Sequence, residues 1–303
     1  MFLSIKDIIR WLFPSIFVCF LFCSTVLAQE IRLRASDEVE ARLFGNAVSV
    51  DGNFALMGAS TNTPPAAYFF AYDGTSWVQQ QKIVPTDSPQ TTQFGYSVSL
   101  SGDRAIVGAL GGGLSSENSG SAYIFQFNGV SWIEMQKLLP PGGAEDDWFG
   151  RSVDIFGDYA IVGASKDGEK GPNSGAAYVY RLDGALWVLD QKVVASDGDA
   201  NSYFGKSVAV TDKYFVAGAP GDRDCPCDVF PTGLESGSTY VFRHDGQTWT
   251  EHQKLLAFDR QSGDNFGWSV DIMSSAIIIG APNGDGLPEE KGAAYIFGLD
   301  SGQ

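Results

Sequence analysis

Histidine, cysteine and positive charge are all scarce in this chain: two histidines, four cysteines and 20 Lys+Arg against 36 Asp+Glu in 303 residues. So few soft ligands leave little from which to build a structural zinc site, which takes about four. The formal net charge of −16 disfavours nucleic acid and anionic membrane surfaces as partners, because both would be repelled. Also missing are an Asn-x-Ser/Thr sequon, a basic tail, a Gly-x-Ser-x-Gly elbow, a phosphate loop and a metalloprotease motif. Disorder is excluded by what is present instead, 44% hydrophobic and 13% aromatic residues with 36 glycines, the profile of a turn-rich globular protein.

Only one long apolar run occurs. Lys6 and Arg10 precede Trp11 to Val26, and the run exits through Val26-Leu27-Ala28 before Gln29. A basic start, an apolar middle and a small-residue exit predict a secretory signal over 1–28, hence a secreted, periplasmic or cell-surface protein with no stable membrane span after signal removal. An uncleaved anchor is the alternative, and Pro14 with the ending at Ala28 favours cleavage. Without that segment 18 basic and 35 acidic residues remain, a net −17. Cys19 and Cys23 leave with it, so Cys225 and Cys227 are the remaining thiols, one residue apart. An oxidising compartment leaves open a local disulfide between them or pairing with another chain.

The rest of the chain is built on repetition. Phe149-Gly-Arg-Ser-Val through Gly163-Ala164 recurs from Phe44, Phe94, Phe204 and Phe266, and the Phe-to-Ala distance is 15 residues in all five copies. Each copy continues into a Gly/Ala-rich segment holding Tyr68, Tyr123, Tyr178, Tyr240 or Tyr295. In the first four, an Asp-Gly or Asn-Gly turn follows, then a segment led by Trp77, Trp132, Trp187 or Trp249 that ends in Gln-Lys. Alternating apolar runs around such turns predict four antiparallel strands, A to D, and their repetition predicts propeller blades. Tyr to Trp is always nine residues, Trp to Lys five and Lys to the next Phe-Gly twelve, whereas Ala to Tyr takes 9, 14, 14, 21 and 14. Insertions therefore fall in the B–C loop, since loops absorb length cheaply and paired strands do not.

The two ends complement each other. Arg32 lies twelve residues before Phe44, as Lys192 lies before Phe204, and the fifth copy stops where its D strand should start. Gln29–Ala35 is thus expected to supply the missing strand, closing one five-bladed propeller over 29–303 and covering otherwise open sheet edges. Antiparallel order places the B–C loops and D–A connections on one side. Those segments hold 21 acidic and 6 basic residues, nearly all of the net charge.

The pattern Phe-Gly-x-Ser-Val followed by Gly-Ala-Pro or Gly-Ala-x resembles the FG-GAP repeat of integrin α subunits and secreted microbial proteins, with the full Gly-Ala-Pro at Gly218-Ala219-Pro220 and Gly280-Ala281-Pro282. The resemblance implies an all-β propeller and extracellular ligand or matrix binding, often with Ca²⁺. It does not carry over the family's calcium loop between the first two strands, because the turns here, such as Asp51-Gly52 and Gly157-Asp158, hold too few carboxylates. Nor does it carry an integrin role, since no helical domain or cytoplasmic tail accompanies the repeats.

The acidic side is where function is expected, beginning after Ala164, where the copies start to differ. Asp167, Asp222 and Asp285 follow Gly-Ala at similar offsets, with Asp224 nearby. Such loops offer oxygens to Ca²⁺, against the plainer reading of a solvated acidic rim. Trp148, Tyr203 and Phe230, with Asp197 and Asp199, are candidates for contacting an extracellular protein or glycan. Trp148 and Tyr203 directly precede Phe-Gly, so burial is their competing reading. The repeated Phe-Gly and Gly-Ala are read as packing residues. Paired carboxylates such as Asp146-Asp147 leave a glycan hydrolase or lyase as the enzymatic alternative to a non-catalytic binding module. His244 and His252 occupy ordinary repeat positions and point to no catalysis.

Overall fold

The structure, a computed structural model, describes residues 30–37, 43–61, 64–87, 93–111, 119–223, 235–284 and 292–299. The expected signal, Asp224, Cys225, Cys227, Phe230 and Asp285 lie outside the described residues. The chain divides into Met1–Leu33 and Arg34–Gln303. Residues 30–33 carry no strand, and the architecture below belongs to the second unit.

Five antiparallel sheets follow one another in the order of the repeats. Blade 1 contains β1 (Val48–Asp51), β2 (Phe54–Ala59), β3 (Ala66–Tyr72) and β4 (Trp77–Ile83). Blade 2 contains β5 (Phe94–Ser101), β6 (Arg104–Ala109), β7 (Ser121–Phe127) and β8 (Trp132–Leu138). Blade 3 runs through β9 (Phe149–Phe156), β10 (Tyr159–Ala164), β11 (Ala176–Asp183) and β12 (Leu186–Val193). Blade 4 has β13 (Ser207–Val210), β14 (Tyr214–Ala219), β15 (Ser238–His244) and β16 (Trp249–Leu255), and blade 5 has β17 (Ser269–Met273), β18 (Ala276–Ala281) and β19 (Ala293–Gly298). Four sheets are four-stranded in simple meander order, and the fifth has three strands. The five-bladed, all-β reading and the A-to-D order of the strands are therefore observed.

The repeat consensus is a code for stacking one blade on the next. Glycine of Gly-Ala gives the neighbouring backbone room: a Cβ on Gly58, Gly108, Gly163 or Gly218 would lie 1.9–2.3 Å from the carbonyl of Gly95, Gly150, Gly205 or Gly267 in the following blade. Serine of Phe-Gly-x-Ser then bonds that carbonyl. Ser97 donates to Gly150, Ser152 to Gly205 and Ser207 to Gly267, each at 2.9 Å. On the outer strands, glutamine of Gln-Lys grips the next tryptophan's backbone from both sides, as Gln136 does with Trp187 (2.8 and 2.9 Å) and Gln191 with Trp249 (2.9 and 3.0 Å). Between these polar fixings lie four apolar clusters, one at each junction. The phenylalanine of Phe-Gly seats edge-on against the strand C tyrosine, Phe149 to Tyr178 at 5.2 Å, so these recurring residues are packing residues as expected.

The code leaves one unused half at each end. The nearest atoms to a Cβ on Gly280 all belong to Ser269, its hydroxyl at 2.4 Å, and one on Gly45 meets nothing within 4 Å. Val48 and Val50 of β1 are 67% and 68% exposed, although the matching Val153 and Ile155 are buried. Ile278 and Ile296 of blade 5 are 46% and 75% exposed, although the matching Ile161 and Val179 are fully buried. Residues 30–35 form no strand, and the last sheet gains no fourth strand among the described residues. Residues 30–35 lack the tryptophan that a glutamine holds in β8, β12 and β16.

Asp154 of β9 ties three blades together at the inner strands. It accepts from the Ser99 hydroxyl at 2.6 Å and from the Val210 amide at 2.7 Å. Burial pushes its carboxyl up to about 6, against the pull of those hydrogen bonds. The folded state thus keeps a proton that the unfolded chain releases near 3.8, so this group's contribution to stability falls as pH rises from about 4 to about 6 and stays unfavourable above. Asp154→Asn keeps an oxygen to accept from the Val210 amide and can donate its NH2 to the Ser99 oxygen, and it is expected to flatten that dependence. A gain of about 1–2 kcal/mol at pH 7 in urea unfolding is the expected reading, and an unchanged pH profile would contradict it.

Candidate functional site

Each Phe-Gly sits in a strained turn that fixes where the following residue points. The preceding residue, Leu43, Gln93, Trp148, Tyr203 or Asn265, has φ between 48° and 58°, and the glycine that follows is also left-handed. Non-glycine residues pay about 1–3 kcal/mol for such a conformation. The turn closes by hydrogen bonds across it, Arg151 N to Trp148 O at 3.1 Å and Lys206 N to Tyr203 O at 3.0 Å. It therefore sets five residues, Asn46, Tyr96, Arg151, Lys206 and Trp268, at one equivalent position per blade. They contact one another from blade to blade. Asn46 donates to the Tyr96 carbonyl at 3.2 Å, the Arg151 guanidinium stands 4.7 Å from the Tyr96 ring centre, and the Lys206 ammonium 4.4 Å from that of Trp268.

A cavity of about 510 Å³ opens at this position, walled by Tyr96, Leu110, Asp146, Trp148, Arg151 and Lys206. The Trp148 ring centre lies 3.6 Å from the Lys166 ammonium and 5.9 Å from the Arg151 guanidinium. The cations are partly withdrawn from water. Burial, then repulsion from Arg151 and Lys166, pushes the Lys206 ammonium down to about 8, and burial also lowers Arg151. The buried Nε of Arg151 has no hydrogen-bond partner among the described residues. Of the residues anticipated from sequence, Trp148 belongs here. Arg151, Lys166, Lys206 and Tyr96 were not anticipated, and three of them occupy the variable position x of Phe-Gly-x-Ser-Val. That variation inside an otherwise constant pentapeptide was the available signal.

The acidic residues do something else. In each of the first four blades, strand C tyrosine and the lysine of Gln-Lys together hold a loop aspartate. Tyr178 donates to Asp167 at 3.0 Å and Lys192 pairs with it at 2.8 Å. In blade 4, Tyr240 donates to Asp197 and Asp222 at 2.7 and 3.0 Å, while Lys254 pairs with both at 2.7 Å. Asp87 is held by Tyr123 and Lys137, and Asp37 by Tyr68 and Lys82. Burial opposes ionisation of Asp197, but Lys254 and Tyr240 outweigh it and hold the carboxyl below its usual range. Asp167 and Asp222 are therefore buried, neutralised clasps, and no three His, Cys, Asp or Glu residues converge into a metal-sized group among the described residues.

The remaining candidates are placed individually. Asp199 accepts from the Ala200 amide within its own loop. Tyr203 is half-buried and receives no cavity role. Asp146 is exposed on the cavity wall, while its neighbour Asp147 is buried and accepts from the Ala144 amide at 2.7 Å, so the two carboxylates do not present themselves together. His244 packs edge-on to Tyr159, 5.5 Å away, and His252 tilts toward Tyr214. No helix among the described residues is long and apolar enough to cross a membrane.

Compared with known families, residues 27–70, 77–125, 132–180, 187–242 and 249–297 each match the model of the FG-GAP repeat. No curated protein matches the chain.

Proposed function

The chain belongs to the FG-GAP repeat family, and from that premise we propose that it is a secreted, non-catalytic binding module. Its ligand, an extracellular protein or glycan, is taken at the cavity beside the Phe-Gly turns, in the manner of an adhesion or recognition domain. One observation carries the reading: side chains from three blades, Tyr96, Arg151 and Lys206, converge with Trp148 on one cavity, with strained turns holding them there. Strain and unsatisfied buried groups cost stability that packing alone does not require, and they gather where a ligand is bound.

Calcium assistance belongs to the same reading at Asp167 and Asp222, where an incoming ion would take the place of Lys192 or Lys254. A Ca²⁺ titration that raises Tm supports it, and a flat one removes it. For the module itself, the test is a glycan array and a polysaccharide-degradation screen with the mature chain, repeated with Trp148→Ala. Binding that weakens about tenfold or more in the variant is the expected result. Release of cleaved product would replace this reading with a glycan hydrolase or lyase, and binding unaffected by Trp148→Ala would move the site elsewhere.

A further inference from the structure

In a chain of net charge −16, the two cations on the cavity wall, Arg151 and Lys206, and Lys166 against Trp148 stand apart. Arg151, Lys166 and Lys206 come from the inner strand of blade 3, the loop after β10 and the start of blade 4. None of them forms an ion pair among the described residues, whereas Lys82, Lys137, Lys192 and Lys254 are all engaged in clasps. Their hydrophobic support is aromatic: Tyr96 under Arg151, Trp148 under Lys166, Trp268 under Lys206. Stacking on a ring face leaves the edge of a guanidinium, and the outer protons of an ammonium, free to donate. Like charges gathered in a partly dry cavity repel, and folding does not repay that cost.

We propose that this cluster is a binding site for a single tetrahedral oxyanion, the sulfate or phosphate ester group of a small ligand or of a terminal sugar. The proposal rests on the cavity being the binding site, and it adds the chemical class of what enters. Three donors, two from blade 3 and one from blade 4, match an anion with several oxygens spread in space better than a planar carboxylate, which one arginine satisfies alone. A polyanion is disfavoured, since the acidic remainder of the molecule repels extended negative charge while one oxyanion is met locally by three cations. Asp146, the carboxylate on the same wall, is exposed to solvent and narrows the choice further toward ligands with one anionic group and hydroxyls beside it.

The test uses the full mature chain, titrated with sodium sulfate and sodium phosphate against sodium chloride at matched ionic strength, and followed by Tm and calorimetry. Galactose 6-sulfate and glucose 6-phosphate then distinguish the two ester sources, with galactose as the neutral control. Saturable stabilisation with a Kd on the order of 1 mM or tighter is expected from the oxyanions and none from chloride. The groups facing Lys206 are Arg151 and Lys166, with Asp146 across the cavity. Sulfate keeps a fixed charge, so its affinity should fall as pH rises through about 8, where Lys206 loses its proton. Lys206→Met removes one of three mutually repelling charges. It should raise the Tm of the free protein while weakening sulfate at least about tenfold, a combination that a merely damaged fold would not give. Equal effects of chloride and sulfate, pH-independent sulfate binding, or full affinity in Lys206→Met would each overturn the proposal. Binding of neutral glycans that depends on Trp148 but not on Lys206 would overturn it while leaving the binding module intact.

Discussion

Gly163→Ala is expected to destabilise the protein by at least about 3 kcal/mol, at the upper end of the usual cost of overpacking. The added methyl would stand 2.0 Å from the Gly205 carbonyl and 2.4 Å from the Ser152 hydroxyl. A hydroxyl can rotate away. The carbonyl cannot, because it belongs to the backbone of the next blade and is the atom to which Ser152 donates. Relief requires the two sheets to separate, which loosens the cluster that packs Ile161, Ala177 and Val179 against Phe204, Val208 and Phe215. Gly280→Ala is the matched control, because the nearest atoms to the methyl there belong to Ser269 of the same blade, whose hydroxyl can rotate away. Thermal unfolding of the two variants then decides the state of the ring. A mild Gly280→Ala beside a severe Gly163→Ala describes blade 5 with an open flank. Equal severity would mean that the Gly45 carbonyl presses on Gly280 and that the exposed faces of blades 1 and 5 meet. A harmless Gly163→Ala would contradict the stacking code itself.

Lys254→Met should cost about 2–3 kcal/mol at pH 7, a fall in Tm of roughly 5–10 °C. The Lys254 ammonium is the shared counterion of Asp197 and Asp222, and the Asp222 side chain is 8% exposed. Removing one partner strands the others in a poorly solvated site, a loss of about 3–5 kcal/mol where burial is complete. The smaller figure applies because Asp197 remains 48% exposed. The pH dependence carries a sign. Asp197 is held below its ordinary range, so its stabilising contribution is present above that range and disappears as acid protonates the folded carboxyl. Wild type and variant should therefore differ most near neutrality and converge in acid. Urea unfolding at both ends of that range checks this, and a constant difference would point to lost packing of the lysine stem instead.

The blade pattern could be read from spacing alone because strands cannot absorb insertions. Phe-to-Ala, Tyr-to-Trp and Trp-to-Lys distances stay fixed while the Ala-to-Tyr interval across the B–C loop varies from 9 to 21 residues. The same constancy identified Phe149 and Gly163 as packing residues before any contact was known. The purpose of Gln-Lys was less legible. Gln136 reaches 51 residues ahead to Trp187, and Lys192 reaches back to a loop aspartate. Neither partner is marked by sequence distance, since both contacts depend on how sheets stack.

Charge was the feature most in need of three dimensions. Composition makes the chain acidic and locates its carboxylates in particular loops, but a carboxylate with a lysine folded over it is no longer an open ligand. Asp167 and Asp222 are held that way, whereas the cavity cations Arg151 and Lys206 form no ion pair among the described residues. The sequence by itself determined five blades, their strand order and the residues that pack them, because periodicity and turn chemistry are local and repeat. Only the tertiary structure decided which charges are paired and which face a cavity, because pairing joins residues from different strands and blades. It also left the outer faces of blades 1 and 5 exposed, because stacking is a relation between two surfaces, and a repeat writes only one of them at each end.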